Sequence, residues 1–117
     1  MNAFEAIKKA DELRPNTFSE QQKYEWLIKE EGEIALMMNK EQPKNMYPSL
    51  TQELLMPAPF DYIYELYLIC VIDFYNQESD LYQNDKTVFE EEKRNALAWY
   101  RRENMPKQKV KKWEVGL

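Results

Sequence analysis

The chain predicts an all-α fold, a small bundle of about four helices with a long Pro-containing connection and an extended C-terminal arm. Glycine is almost absent: Gly32 and Gly116 are the only two in 117 residues, too few for a sheet with tight hairpins. Hydrophobic residues make up 44% and aromatic residues 14%, enough to order most of the length. Capping spacings (a cap residue followed three positions later by Glu or Gln) stand ahead of apolar stripes with helical period. At 14.2 kDa this is one domain with a single modest core. It divides into a helical body, residues 1–104, and an arm, residues 105–117.

Asn2 with Glu5 opens the first helix, and Phe4, Ile7, Ala10 and Leu13 recur on one face. Pro15 ends it by Arg14. Ser19 with Gln22 is a second capping box and opens a helix reaching about Asn39. Leu27, Ile34 and Met38 form its stripe, widened by Ile28 and Ala35. Gly32 in its interior costs roughly 1 kcal/mol against alanine. Simple tolerance or the close approach of another helix are its two readings. Pro43, Pro48, Pro57 and Pro59 then mark residues 40–59 as irregular, a length uncommon in a compact domain unless it is functional or pinned by packing. Leu50, Leu54, Leu55 and Met56 suit the pinned alternative, with one short extended or 3₁₀ piece.

The third helix is expected from about Pro59 through Asn76, with continuation past Tyr82 in view. From Phe60 to Tyr75 only Asp61, Glu65 and Asp73 are charged. That run is too short and too charged for a membrane span, which needs about 20 mostly apolar residues. It reads as a helix covered on nearly every side, more than 117 residues can easily supply, so assembly is the leading idea. A fourth helix is expected from Asn84 or Thr87 (Thr87 with Glu90 gives T-x-x-E) to about Glu103. Phe89, Lys93, Ala96, Leu97 and Tyr100 form its inward stripe, and Met105-Pro106 stops it.

Catalytic groups are scarce. Histidine, the commonest general base and metal ligand, does not occur. Asp61 and Glu65 share a face at i, i+4, an arrangement more often solvated or ion-paired than metal-binding. No calcium loop, phosphate-cradling loop or nucleophile elbow is present in the sequence. No catalytic, cofactor-binding or metal-binding residue is therefore assigned. Cys70, the lone cysteine, lies inside the apolar run, reads as a packed, inert thiol, and favours a cytosolic setting. Met1–Leu13 has no apolar core of a secretion signal. Tyr62, Tyr64, Tyr67, Tyr75 and Tyr82 lack the basic groove of a single-strand stacking platform. Tyr62, Tyr64, Tyr67 and Tyr75 are read instead as subunit-interface rings.

Charge is divided unevenly. Residues 101–117 carry six Lys or Arg against Glu103 and Glu114, a net +4, so with a total of −5 the first hundred residues carry −9. An acidic body argues against direct duplex binding by the whole domain. In the arm, Val110 and Lys112 share one side of an extended reading, and Lys111, Trp113 and Val115 the other. Lys107, Lys109, Val110, Lys111, Lys112, Trp113 and Val115 are the candidate partner-binding residues, with Trp113 as anchor and the lysines steering toward an acidic partner.

Three pieces, DELRPNTFSEQQKYEWL (residues 11–27), LLMPAPFDYIYELYLICVIDFYNQE (54–78) and LYQNDKTVFEEEKRNALAWYRRENMP (81–106), cover most of the chain in order and spacing. Together they resemble small head–tail connector (adaptor) proteins of tailed phages and prophages of Gram-positive bacteria. The pattern in that family has a glycine after the asparagine of the third helix. Gln77 stands there instead, which favours a helix running on to Tyr82.

The resemblance implies a non-enzymatic component of the virion neck, assembled in the host cytoplasm. Copies would form a homo-oligomeric ring, twelvefold by the resemblance, beneath the portal protein, extending the DNA channel and docking the next neck or tail-completion protein. DNA would pass through without sequence-specific binding, and no membrane is involved. A ring wall that lets DNA slide should be acidic or neutral, because clustered lysines grip phosphates. Glu30, Glu31, Glu33, Glu90, Glu91 and Glu92 are the expected channel-facing carboxylates. Two other readings remain: a small phage-encoded nucleic-acid-binding or regulatory protein using the basic tail, and a small enzyme or metal carrier using Asp61, Glu65 and Asp73.

Overall fold

Both N-terminal capping boxes form, and they fix where the first two helices start. In the computed structural model, which describes residues 1–104, α1 spans Ala3–Leu13, α2 Glu20–Met37, α3 Ile63–Tyr75 and α4 Ser79–Asn104. Asn2 Oδ1 accepts from Glu5 N–H at 2.9 Å while the Glu5 carboxylate accepts from Asn2 N–H at 2.9 Å. Ser19 and Gln22 exchange the same pair at 3.1 and 3.4 Å. The all-α expectation holds, with four helices and no strand among the described residues.

The buried face of α1 is rotated from the expected stripe. Ala3, Ala6, Ile7 and Ala10 are buried, whereas Phe4 and Leu13 are 49% and 54% exposed. The alanines explain the rotation, because small side chains let the backbone approach its neighbours closely. Ala3 N–H and Phe4 N–H donate to the carbonyls of Gln52 and Leu50 at 3.3 and 3.0 Å, zipping the start of α1 to the connection. Among the described residues Gly32 meets no second helix. A Cβ there would sit 3.1 Å from Gln42 Oε1, and Gln42 Nε2 donates to the Gly32 carbonyl at 3.3 Å. Its close neighbour is therefore a side chain of the connection.

Residues 40–59 are held by polar groups reaching out from the helices. Tyr24 is buried, and its hydroxyl donates to Gln52 Oε1 at 2.5 Å and accepts from Met46 N–H at 2.9 Å. Glu31 is buried too, and accepts from Leu55 N–H at 2.6 Å and from the Tyr64 hydroxyl at 2.6 Å. The Tyr64 hydroxyl in turn accepts from Met56 N–H at 2.8 Å. Leu50, Leu54 and Met56 are thereby pressed into the core, as their hydrophobicity requires.

α3 starts at Ile63, later than the sequence suggests, because the Pro57–Pro59 turns must clear before helical bonding begins. It ends abruptly. Gln77 adopts φ 59°, its N–H donates to the Phe74 carbonyl at 3.1 Å, and Glu78 N–H donates to the Asp73 carbonyl at 3.0 Å. That pair of bonds is a Schellman termination, usually built on glycine. The helix therefore ends at Asn76 as expected, and the alternative of running on to Tyr82 is not taken: a glutamine tolerates the left-handed turn, at a cost of roughly 1–2 kcal/mol. α4 restarts at once, at Ser79, well before the expected Asn84 or Thr87. The T-x-x-E spacing is not used as a cap, since the Thr87 hydroxyl donates to the Gln83 carbonyl at 2.9 Å inside the helix. α2 closes in the same way as α3, with Asn39 at φ 58° and Lys40 N–H donating to the Ala35 carbonyl at 2.8 Å.

α3 is the central helix and packs against α1, α2 and α4. Ile63, Tyr64, Leu68, Ile69, Cys70 and Ile72 are buried, each aliphatic side chain contributing about 1.5–3 kcal/mol on transfer from water. Burial pushes the Cys70 thiol up to about 12, consistent with an inert packed residue.

Tyr64→Phe removes a donor from the buried Glu31 and an acceptor from Met56 N–H, and should cost about 1–3 kcal/mol in urea denaturation. Tyr47→Phe, whose hydroxyl donates to Glu20 at the surface, should be nearly neutral. Gln77→Gly should raise stability by up to about 1 kcal/mol, relief of the left-handed strain outweighing glycine's greater unfolded-state entropy. A loss of stability in that variant would show that Gln77 is not strained.

Candidate interaction surface

The sequence promised a third helix covered on nearly every side, and the described chain leaves one end of it open. α3 buries Asp73 but turns Phe74 and Tyr75 outward, 56% and 54% exposed. These rings do not stand alone. Tyr75 stacks on Trp26 of α2 at 5.3 Å with an interplanar angle of 13°, and Phe18 packs edge-on to Trp26 at 5.3 Å. Phe74 lies 5.5 Å from Tyr82 of α4. A continuous row of five rings thus crosses the α3–α4 elbow and ties the loop before α2 to the first turn of α4. Leu81 and Val88 on α4 add exposed aliphatic surface nearby.

Two clefts meet at this elbow, and Phe74, Tyr75 and Tyr82 line both. The inner one, about 320 Å³, lies between α2 and α4 and is floored by Tyr67, Cys70 and Val71 of α3, with Lys29, Lys86 and Glu90 among its walls. The outer one, about 630 Å³, is lined by Glu78, Ser79, Gln77 and Gln83 together with Asp73. Beneath the elbow Arg14 fastens three helices: its Nε donates to Asp73 Oδ1 at 3.0 Å and its Nη2 to Asp85 Oδ2 at 2.7 Å. Burial and the neighbouring Asp85 push Asp73 up to about 6 against the pull of Arg14. The elbow thus combines an aromatic row with an ion-paired base. Among the described residues no group of three or more Cys, Asp and Glu is placed to hold a metal ion. Asp61 faces the Met1 amine at 3.5 Å, and Asp73 is taken by Arg14.

The four interface tyrosines separate. Tyr75 is on the exposed row. Tyr67 is half-buried against Phe89 at 5.6 Å, and burial pushes its hydroxyl up to about 12. Tyr62 is half-buried and donates to Glu92, tying the start of α3 to α4. Tyr64 is wholly buried and holds Glu31, so it is a core residue and faces no neighbouring subunit. Its position on the same helix as the others gave no warning of this, because α3 is apolar all round and the period does not single out one face.

The six channel-facing glutamates also divide. Glu30 and Glu31 are only 5% and 2% exposed, so neither can line a channel. Glu31 serves the connection, and Glu30 pairs with Lys93 Nζ at 2.8 Å, joining α2 to α4. Lys93 also binds the exposed Glu33. Glu92 is engaged by Tyr62, which leaves Glu33, Glu90 and Glu91 as solvent-facing carboxylates. The error has a physical source: four glutamates in residues 30–33 and 25 read as a solvated face, yet 30 and 31 lie next to Leu27 and Ile34 on the inward stripe. The partner-binding residues Lys107, Lys109, Val110, Lys111, Lys112, Trp113 and Val115 lie outside the described residues.

Sequence reasoning missed the aromatic row as a unit. Its signal was the adjacent pair Phe74-Tyr75 at the end of an apolar helix, two residues that cannot both face inward. Comparisons with protein-family models, with curated proteins and with solved structures found no match to this chain.

Burial lifts Glu30 from its ordinary 4.5 to about 7, outweighing the pull of Lys93. The folded protein therefore binds more protons through Glu30 than the unfolded chain between those two values. Asp73, raised from 3.8 to about 6, acts in the same sense. Through these groups stability is greatest at low pH and falls as pH rises through 6 and then 7. Melting temperature should be higher at pH 5.5 than at pH 8, and Glu30→Gln should raise the pH 8 value and flatten the profile. An unchanged slope in Glu30→Gln would refute the assignment.

Proposed function

We propose that this protein is a structural adaptor of a virion neck, a head–tail connector whose copies form a ring under the portal and extend the DNA channel. The support is the aromatic elbow of exposed Phe74 and Tyr75 with half-buried Tyr82 beside them, an apolar surface on a small helical body. Surface of that kind on a small soluble domain marks a protein contact more often than chance exposure. The three-segment resemblance of residues 11–27, 54–78 and 81–106 to phage connectors supplies the identity of the contact. The buried Cys70 thiol fits the same reading, since a raised thiol is poorly suited to nucleophilic work.

The body is acidic and α4 presents Glu90 and Glu91 to solvent. With Glu33 these are the carboxylates proposed for the channel wall. DNA slides past such a surface because no cluster of cations releases counterions on contact. The arm, residues 105–117, serves attachment, with Trp113 as the anchoring ring and Lys107, Lys109, Lys111 and Lys112 steering the approach. Its partner is the portal or an adjacent subunit.

Full-length protein mixed with the portal protein encoded in the same genome should co-elute with it and form a ring visible by electron microscopy. In isolation it should be a monomer or small oligomer by light scattering, because one modest core and one elbow offer little contact area. Deleting residues 106–117 should leave melting nearly unchanged and abolish portal attachment, and Trp113→Ala should do most of the same damage. Unaltered portal affinity in the truncated protein would remove the arm from the proposal. Tight binding of duplex DNA by the free protein at moderate salt would favour the regulatory alternative.

A further inference from the structure

We propose that the two clefts at the α3–α4 elbow are the receptor for the Trp113-containing tail of a second copy of this chain, which makes the subunit contact of the ring head-to-tail. The proposal rests on the assembly reading above and names the surface through which copies meet.

Direction sets a neighbour's tail apart from the chain's own. α4 is one helix from Ser79 to Asn104, about 38 Å from end to end at 1.5 Å per residue. The outer cleft sits at its first turn, and the inner cleft extends along it to Lys86 and Glu90. Trp113 is nine residues beyond Asn104, and nine residues span at most about 32 Å when fully extended. The chain's own tail would have to double back along α4, which brings Lys111 and Lys112 in at the Lys86 end and sends Glu114 toward Glu78, like charge against like. A neighbour's tail can enter in the opposite direction.

Chemistry fits the order of residues in the tail. The sequence Lys111-Lys112-Trp113-Glu114 presents two cations, one large ring and one anion. The elbow presents the complementary order: Glu78 on the outer cleft with Asp80 beside it, the rings of Phe74 and Tyr82 in the middle, and Lys29 with Lys86 on the inner cleft. Lys86 Nζ already stands 5.6 Å from the Tyr82 ring centroid, close enough to meet Glu114 beside a seated indole. Glu90 is the one carboxylate on the inner cleft and sits beside Lys86, so the inner wall is still net cationic. Aromatic rings enclosing a tryptophan, with paired charges at the rim, are the composition of an interface hot spot. A contact of this type is heterologous, the surface used on one copy differing from that on the next, and such contacts close into rings when the rotation allows.

Sedimentation velocity of the full chain over rising concentration tests the contact. Wild type should self-associate weakly, and Trp113→Ala and Phe74→Ala should each weaken association at least about tenfold without lowering the melting temperature. Glu78→Lys, a surface charge change that leaves the rings intact, should weaken it less and in a salt-dependent way. Mixing the two variants decides the geometry. Trp113→Ala retains its elbow and Phe74→Ala retains its tail, so the mixture should form a one-to-one dimer and nothing larger. No self-association of wild type at any concentration, or no dimer in the mixture, overturns the proposal. Portal attachment is read separately: its absence in wild type would sink the adaptor reading while leaving the contact between copies standing.

Discussion

A single buried carboxylate, Glu31, holds together parts of the chain that nothing else in the sequence would bring into contact. Among the described residues it has no cationic partner. Its oxygens are satisfied by one backbone N–H, from Leu55, and one phenol, from Tyr64, and the same phenol accepts from Met56 N–H. Burial raises the Glu31 carboxyl, while those two donors oppose the shift. Removing any one of these groups leaves another buried and unpaired, which is why the arrangement behaves as a unit. Through it α2, α3 and a twenty-residue irregular segment share one core.

The remainder of the body is organised by α3. α4 is joined to the rest chiefly through α3, and the ties that fix its angle are side-chain bridges: Arg14 to Asp73 and Asp85 at one end, Lys93 to Glu30 and Glu33 in the middle, and the Tyr100 hydroxyl to the Met38 carbonyl at 3.3 Å near the other. The Lys93 and Tyr100 ties join α4 to α2 and its C-cap and lie beyond Phe89, whereas the cleft floored by Tyr67, Cys70 and Val71 lies nearer the start of α4.

Much of this was legible in the sequence, and the failures have definite causes. The capping boxes at Asn2 and Ser19 located two helix starts to the residue, because each needs only local chemistry. Leu27, Ile34, Phe89, Ala96 and Leu97 were correctly placed in the core by period alone. Helix boundaries set by long-range demands were not legible: Thr87 satisfied a capping pattern but lay mid-helix, since the chain had already re-entered helix at Ser79. The missing glycine at Gln77 was read as permission to continue, yet tertiary packing imposed the left-handed turn regardless. Glu30, Glu31 and Tyr64 were assigned outward roles on residue type. Each is buried because a specific partner, Lys93 for one and each other for the remaining two, offsets the cost of leaving water. Pairing of that kind is not encoded in spacing.

The division of charge along the chain then takes on a structural meaning. Thirteen residues follow Asn104 with four lysines and one glutamate, a net +3, which leaves −8 on the described body of a chain whose total is −5. Copies of such a molecule repel body to body and attract tail to body, so the long-range field favours head-to-tail encounter over a symmetric dimer. The field alone cannot hold a complex at physiological salt, where charges beyond about 8 Å are screened. Short-range apolar burial must supply the remainder, and the elbow offers exposed aromatic surface set beside carboxylates. A small domain with one such surface assembles weakly by itself and firmly once a template presents many copies side by side, because each added neighbour binds at raised effective concentration. Weak pairwise contact is therefore compatible with the proposed role.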